Sequence, residues 1–189
     1  MTIVKTCGKL YWAGEYAILE PGQLALIKAI PIYMKAEIKA SDDYRLYSDM
    51  FTYSVDLSPD SSYALIQETV ALVEEYLTAQ GVDLRPFFID IRGKMEREGK
   101  KFGLGSSGSV VVLVIKAMLA FYERPAERDL LFKLASAVLL KRGDNGSMGD
   151  IACIVSEDLV LYQSFDRERV AQWLEKEDLP TILARDWEF

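Results

Sequence analysis

A glycine- and serine-rich segment leads directly into an apolar run at residues 110–115. Its members are Gly103, Leu104, Gly105, Ser106, Ser107, Gly108 and Ser109. Such residues form a tight turn that continues as the first turn of a helix, where unpaired N–H groups and the positive end of the helix dipole face one point. Glycine lets the backbone approach a phosphate closely, and serine hydroxyls can cap the helix, bind phosphate or ligate Mg²⁺. The segment predicts a polyphosphate site; the alternative is a helix start with ordinary serine and glycine capping.

Three known phosphate-binding loops fail to describe this segment. It fits GxGxxG, but a dinucleotide fingerprint needs a strand just before the first glycine, and the strand candidate at residues 87–92 is separated from Gly103 by a charged stretch. It also fits GxxxxG, yet Ser109 stands where a Walker A loop has lysine. A protein kinase would need a downstream HRD-type loop, and this chain has no histidine.

Two further motifs make the pattern specific. Residues 7–17 read CGKLYWAGEYA, with Lys9 between Gly8 and an apolar run, and residues 144–150 read DNGSMGD, ending at Asp150. In this order, the three motifs resemble those of the GHMP kinases, the superfamily of galactokinase, homoserine kinase, mevalonate kinase and phosphomevalonate kinase. The surrounding residues, YWAGEY at 11–16, KKF at 100–102 and KRGD at 141–144, are most similar to the bacterial phosphomevalonate kinases.

The resemblance implies a fold and a domain organisation. The fold class is α+β, an N-terminal domain like domain 2 of ribosomal protein S5, with a mixed sheet packed with helices and a left-handed βαβ unit. Residues 1–189 would form the ATP-binding domain. Family members are longer, and the aromatic residues Trp187 and Phe189 suggest a cut before a second, C-terminal domain. An uncovered interdomain face would then be a route to self-association.

The resemblance also implies an activity and a set of site residues. The activity, which belongs to the intact protein and not necessarily to residues 1–189 alone, is the ATP- and Mg²⁺-dependent phosphorylation of 5-phosphomevalonate to 5-diphosphomevalonate in the mevalonate route to isoprenoids. Lys9 and Asp150 match the family's catalytic lysine and aspartate, and Ser107 is the best match for a Mg²⁺ ligand. Several relatives add a glutamate from the helix before the third motif, but residues 137–140 are apolar here. The second Mg²⁺ ligand therefore stays open, and Asp144 is offered for it without a motif match. The predicted substrate-binding residues are Glu15, Tyr16, Lys100, Arg142 and Ser147.

The chemistry of this acceptor favours cations over a general base. The second pKa of a phosphomonoester is about 6, so the attacking oxygen is already largely deprotonated at neutral pH. Two unit charges 4 Å apart repel by roughly 4 kcal/mol at an effective dielectric of about 20, and each phosphate carries more than one charge. We therefore expect Lys9 and Lys101 to dominate, with Lys100 or Arg142 as helpers and Asp150 as the group that orients Lys9 and keeps it protonated.

Two other functions are compatible with the motifs. One is a different kinase of the superfamily, acting on mevalonate, homoserine or a sugar, and the other is a non-catalytic binding module. A basic segment directly before the glycines favours a substrate that is already phosphorylated. Its cations, Arg92, Lys94, Arg97, Lys100 and Lys101, outweigh Glu96 and Glu98.

Composition restricts the class of protein. A net charge of −7 argues against generic nucleic-acid binding, so the predicted partners are ATP and a small-molecule substrate. The two cysteines suggest no disulfide framework, and nothing at the N-terminus resembles a signal peptide. The most apolar run, residues 110–121, is interrupted by Lys116 and too short to span a bilayer, so it is predicted to be a buried helix. We predict a cytoplasmic protein with no membrane partner.

The periodicity of apolar residues predicts the elements that must position these groups. Strands are predicted at residues 3–7, 11–19, 25–38 (broken by Pro31), 44–57, 87–92 and 159–165. Helices are predicted at residues 63–79 (capped by Ser61 or Ser62), 107–122, 127–140, a short span after Asp150, and 167–177. Early strands followed by late helices are typical of an α+β layered domain.

Overall fold

The computed structural model describes residues 1–93 and 105–189, together with the backbone of two short strands between them. The strands are β1 (Thr2–Ala13), β2 (Leu24–Ala40), β3 (Arg45–Ser48), β4 (Ser54–Val55), β5 (Phe87–Arg92), β6 (Glu96–Arg97), β7 (Lys100–Lys101) and β8 (Leu159–Gln163). The helices are α1 (Ala64–Ala79), α2 (Ser106–Phe121), α3 (Arg128–Lys141), α4 (Gly149–Ser156), α5 (Arg167–Lys176) and α6 (Leu179–Ala184), with a 3₁₀ turn at Ala17–Leu19.

The sheet is built around the long strand β2. Strands lie in the order β1-β2-β5-β3-β4, and β8 also pairs with β2. On one side β2 pairs with β1, and on the other it pairs first with β8 and then with β5. The β3–β5 pair is parallel and the other pairs are antiparallel, while β6 and β7 form a separate two-stranded sheet. The predicted mixed sheet packed with helices is confirmed.

Pro31 does not break β2, contrary to the prediction. The register with β1 shifts between Cys7 and Gly8, whose partners are Tyr33 and Ile30, so Pro31 lies in a bulge on that edge. On the other edge, Pro31 lies between the stretch paired with β8 and the stretch paired with β5. The missing proline N–H therefore removes no ladder hydrogen bond.

Other element predictions vary in accuracy. The helices predicted at residues 63–79, 107–122 and 127–140 agree with α1, α2 and α3 to within one residue at each end, and β5 has the predicted bounds. The strand predicted at residues 44–57 is two strands, and the strand predicted at 11–19 ends at Ala13 before the 3₁₀ turn. The caps predicted for α1 were wrong, because its N-cap is Tyr63, which makes no side-chain cap hydrogen bond. Asp60 Oδ1 accepts the N–H groups of Ser62 and Tyr63 in the turn before the helix. Helix α6 was not predicted.

The predicted buried helix is α2, and it occupies the centre of the domain. It packs against β1 and β2 and against α1, α3 and α4. Every residue from Val111 to Ile115 is fully buried. Valine is a poor helix former, so this helix depends on tertiary packing rather than on its own propensity. None of the helices in the described parts of the chain has the length and apolarity needed to cross a bilayer.

The aromatic residues near residue 189 pack onto the domain. Trp187 is fully buried, and its Nε1–H donates to the Ile182 carbonyl oxygen at 3.0 Å. The ring of Phe189 lies 4.2 Å from that of Phe132 between centroids. Trp187 thus belongs to the hydrophobic core, next to α6.

Candidate functional site

Lys9 lies on β1 and contacts the start of α2. The residue is buried, with 8% of its surface exposed. A Cβ atom placed on Gly105 would lie 3.2 Å from both Cγ and Cε of Lys9, so the lysine side chain passes directly over this glycine. The Lys9 ammonium lies 4.5 Å from the ring centroid of Tyr11, two residues along the same strand.

Asp150 approaches the same helix start from α4. A Cβ on Gly105 would lie 3.4 Å from Cβ of Asp150, and one on Gly108 would lie 2.8 Å from its Oδ2. Burial raises the pKa of the Asp150 carboxyl, while the N–H of Ile151, which donates to Oδ1 at 2.9 Å, and the charge of Lys9 lower it. The structure therefore brings together Lys9, Gly105, Gly108 and Asp150, which come from three motifs far apart in the sequence.

Glycine is required at residue 105 by backbone conformation as well as by contact. Its φ of +80° lies in the left-handed region, and it forms the N-cap of α2. Because glycine supplies no side-chain cap, the first N–H groups of α2 face outward together with the positive end of the helix dipole. This is the geometry that binds phosphate at helix starts.

The three serines of the glycine-rich segment have different environments. Ser107 is exposed and Ser106 is partly buried. Ser109 is fully buried, its hydroxyl donates to the Cys7 carbonyl oxygen at 2.9 Å, and its own carbonyl accepts from Thr6 Oγ1. Ser107 thus presents a hydroxyl to solvent, whereas Ser109 ties α2 to β1. The assignment of Ser109 to the nucleotide site stays a prediction.

Ser147 joins the site through Tyr11. The Tyr11 hydroxyl oxygen lies 3.2 Å from Ser147 Oγ, and Ser147 Oγ accepts from the N–H of Gly149 at 3.3 Å. The Ser147 carbonyl accepts from the hydroxyl of Tyr162 at 2.9 Å. Tyr11 lies within the first motif, and the sequence alone predicts no role for it. The available signal was its position two residues from Lys9, which places both side chains on one face of a strand.

Other predicted residues lie around this centre or away from it. Glu15 and Tyr16 are exposed at the turn that follows β1, and Tyr16 is 84% exposed. Arg142 forms an ion pair with Glu68 of α1, so its guanidinium is engaged between α1 and α3. Asp144 Oδ1 accepts the N–H of Gly146 at 2.6 Å, and its role as a metal ligand stays a prediction.

Four predicted residues fall in the part of the chain between residues 93 and 105. Gly103 and Leu104 lie outside the described residues. For Lys100 and Lys101 only the backbone is described, in strand β7, where Lys101 is paired with Glu96. The roles of these four residues remain predictions.

An arginine joins the two loops that flank the site. Arg167, at the start of α5, donates to the carbonyl oxygens of Asn145 and Gly146, each at 2.6 Å, and to that of Leu19 at 2.5 Å. It therefore connects the turn after β1 to the loop that leads into α4.

A small cavity adjoins the start of α2. Its volume is about 170 Å³. Ser106 and Ser107 line one side, and the other lining residues include Met34, Met50, Phe51 and Leu65. The cavity is largely apolar and lies beside the first residues of α2.

Comparison with known proteins identifies relatives of the whole chain. The GHMP kinase N-terminal domain family matches residues 64–158. The phosphomevalonate kinase of Streptomyces sp. (strain CL190) is 27% identical over 209 residues, which cover 98% of this chain and 56% of that protein.

Solved structures of related proteins have the same fold as this chain. Streptococcus pneumoniae phosphomevalonate kinase in complex with phosphomevalonate and AMPPNP superimposes with a TM-score of 0.97 and 72% identity, covering 99% of this chain and 57% of that chain. The Lin0012 protein of Listeria innocua superimposes with a TM-score of 0.92 and 31% identity, covering 98% of this chain and 54% of that chain. This chain therefore spans just over half the length of these relatives.

Proposed function

The chain belongs to the GHMP kinase family, and we propose that it forms the ATP-binding part of a phosphomevalonate kinase. The reaction is transfer of the γ-phosphoryl group of ATP to 5-phosphomevalonate, giving 5-diphosphomevalonate and ADP. The observation that carries the proposal is the contact of Lys9 and Asp150 with Gly105 at the start of α2. The choice of acceptor is supported by 72% identity to the S. pneumoniae enzyme solved with phosphomevalonate and AMPPNP.

Charge neutralisation is the main task of the site. Phosphoryl transfer depends on positioning and electrostatic stabilisation far more than on covalent help. The acceptor phosphate is largely deprotonated at neutral pH, because its second pKa is about 6. Lys9 therefore acts as the cation between two anions, and Asp150 holds the lysine in place rather than removing a proton. Lys101, with Lys100 or Arg142, is proposed to add positive charge.

The start of α2 is proposed to bind the polyphosphate of ATP. Its outward N–H groups and dipole supply several donors without a charged side chain. The adjoining cavity, lined by Met34, Met50 and Phe51, suits the purine ring.

The residues present fit a metal ion that arrives with the nucleotide. Mg²⁺ typically keeps several waters and takes one or two protein oxygens besides substrate phosphates. Ser107 offers one exposed hydroxyl at the helix start. Among the described residues, no group of three or more His, Cys, Asp or Glu side chains is placed to hold a metal by itself. When bound, Mg²⁺ would neutralise charge on the nucleotide phosphates.

The experiment that tests the proposal combines binding and turnover. Calorimetry with Mg–ATP and with phosphomevalonate, on this chain and on a full-length chain, should show binding of both ligands. An ADP-release assay on the full-length chain should show faster turnover with phosphomevalonate than with mevalonate, homoserine or galactose. Preference for one of the other acceptors would assign the chain to a different kinase of the family. Binding of neither ligand would contradict the proposal. We expect the protein to act in the cytoplasm.

A further inference from the structure

Tyr11 contacts the predicted catalytic lysine with one part of its side chain. It follows Lys9 by two residues on β1, so both side chains lie on the same face of the strand. The Lys9 ammonium lies 4.5 Å from the centroid of the ring, which is the geometry of a cation–π contact. A lysine side chain has four rotatable bonds, and a fixed aromatic face restricts where its charge can lie.

The other end of Tyr11 contacts the segment that presents Asp150. Its hydroxyl lies 3.2 Å from Ser147 Oγ, which also accepts the N–H of Gly149, the first residue of α4. A Cβ on Gly149 would lie 2.7 Å from the Tyr11 hydroxyl oxygen, so only glycine permits this approach. One side chain thus extends from the ammonium of Lys9 to the residue before Asp150.

The Tyr11 hydroxyl keeps its proton under working conditions. Burial raises the pKa of Tyr11 to about 12, while the hydrogen bond to Ser147 lowers it and the charges of Asp150 and Glu15 raise it further. The hydroxyl is therefore available as a hydrogen-bond donor throughout the neutral range.

We propose that Tyr11 is a positioning residue for phosphoryl transfer, with its ring locating the Lys9 ammonium and its hydroxyl fixing the turn that carries Asp150. The inference rests on the proposed function for its kinetic consequences, because misplacement of a catalytic group by 1 Å can cost about 100-fold in rate. Substitution of Tyr11 should therefore lower kcat rather than weaken the binding of ATP.

The test compares two substitutions that remove different parts of the side chain. Tyr11→Phe keeps the ring, and Tyr11→Leu removes both ring and hydroxyl. We expect Tyr11→Leu to lower kcat roughly 5- to 30-fold with little change in KM for ATP, and Tyr11→Phe to lower it less. The double variant Tyr11→Phe with Ser147→Ala should be no slower than Ser147→Ala alone, because the two hydroxyls act through one contact.

A matched control for the lysine–aromatic contact exists on β1 and β2. Lys5 of β1 lies 4.6 Å from the ring centroid of Tyr33 of β2, and Tyr33 is 44% exposed. Tyr33→Leu removes an equivalent lysine–aromatic contact outside the site. We expect it to leave kcat unchanged.

A second readout does not depend on turnover. Competitive acylation of lysines, quantified by mass spectrometry on folded protein, should label Lys9 several-fold faster in Tyr11→Leu than in the parent chain. In Tyr33→Leu the change should appear at Lys5 and not at Lys9. Unchanged Lys9 labelling, or parent-like kcat in Tyr11→Leu, would overturn the inference. Failure of the parent chain to bind Mg–ATP or phosphomevalonate would instead reject the proposed function, and the labelling comparison would still decide whether Tyr11 positions Lys9.

Discussion

At the scale of single residues, the site is a buried lysine and a partly buried aspartate that share one glycine contact. Lys9 and Asp150 both lie within 3.4 Å of the position that a Cβ on Gly105 would occupy. The two groups have unequal tasks in the proposed reaction, since one carries the positive charge that the phosphates need and the other orients it. Their substitutions should therefore differ in severity.

Lys9→Ala should abolish most turnover, with a loss of about 100-fold or more, because it removes the cation at which the phosphates meet. Asp150→Asn should lose less, because the amide keeps the shape and the hydrogen-bond acceptor that Ile151 uses. Steady-state kinetics across the neutral pH range would measure both. An Asp150→Asn variant inactive at every pH, beside a Lys9→Ala variant that keeps most activity, would assign the aspartate as an essential base.

Asp150 should also lower the stability of the fold at neutral pH. Its pKa in the folded chain is raised above the ordinary value of 3.8, chiefly by burial. The folded state then holds the proton to higher pH than the unfolded chain, so stability falls as pH rises through the folded pKa. Asp150→Asn should raise the melting temperature at pH 7, by about 2–4 °C for each kcal/mol relieved, and the gain should vanish below the unfolded pKa.

Thermal melts of both proteins at several pH values from 3 to 7 would measure this difference. If Asp150→Asn melts below the parent at pH 7, then the attraction of Lys9 outweighs the cost of burying the carboxylate.

At the scale of elements, the site depends on how closely α4 approaches α2. A Cβ on Gly108 would lie 2.8 Å from Asp150 Oδ2 and 2.9 Å from Ile151 Cδ1. Gly108 lies inside α2, where alanine would favour the helix by about 1 kcal/mol if there were space. The glycine is therefore retained at a cost in helix propensity, and the contact with α4 explains it.

Gly108→Ala should displace the Asp150 carboxylate. We expect turnover to fall at least tenfold while the free energy of unfolding changes by about 1 kcal/mol or less, since the gain in propensity offsets part of the strain. Kinetics and urea unfolding of the same preparation would separate the two effects. A variant that unfolds more easily but keeps its turnover would show that the contact serves packing alone.

At the scale of the whole molecule, one large aromatic residue completes the core and another is exposed on the sheet. Trp187 is fully buried and hydrogen-bonded to Ile182 of α6, and its ring lies 5.3 Å from that of Phe165. Trp12 of β1 is 58% exposed. Leucines on the same face of β1, β2 and β8 are also exposed, each by at least 42%: Leu10, Leu24, Leu159 and Leu161. Self-association through an uncovered apolar face remains a prediction.

Trp187→Ala should destabilise the chain by about 3–5 kcal/mol, because it leaves a large cavity and removes the hydrogen bond to Ile182. Trp12→Ala is the matched control and should change the free energy of unfolding by about 0.5 kcal/mol or less. Urea unfolding followed by circular dichroism would measure both. Equal effects of the two substitutions would mean that the segment around Trp187 is not docked in solution.

The sequence alone determined the local features of this protein. Helices α1, α2 and α3 were predictable because the apolar periodicity and the turn residues that define a helix lie within each segment. The three motifs were recognisable because each combines glycine with lysine, serine or aspartate in a fixed order. The continuity of β2 through Pro31 was not predictable, because it depends on which residues of β1 and β5 lie opposite.

The tertiary structure decided everything that requires distant segments to meet. It placed Lys9, Gly105 and Asp150 in contact, engaged Arg142 with Glu68, turned Ser109 into an anchor for β1, and gave Tyr11 a place between Lys9 and Ser147. These outcomes depend on contacts between segments that are distant in the sequence, as far as 136 positions apart for Tyr11 and Ser147. The local pattern of residue types does not predict such contacts, because which side chains pack together depends on their shape and burial in the folded core.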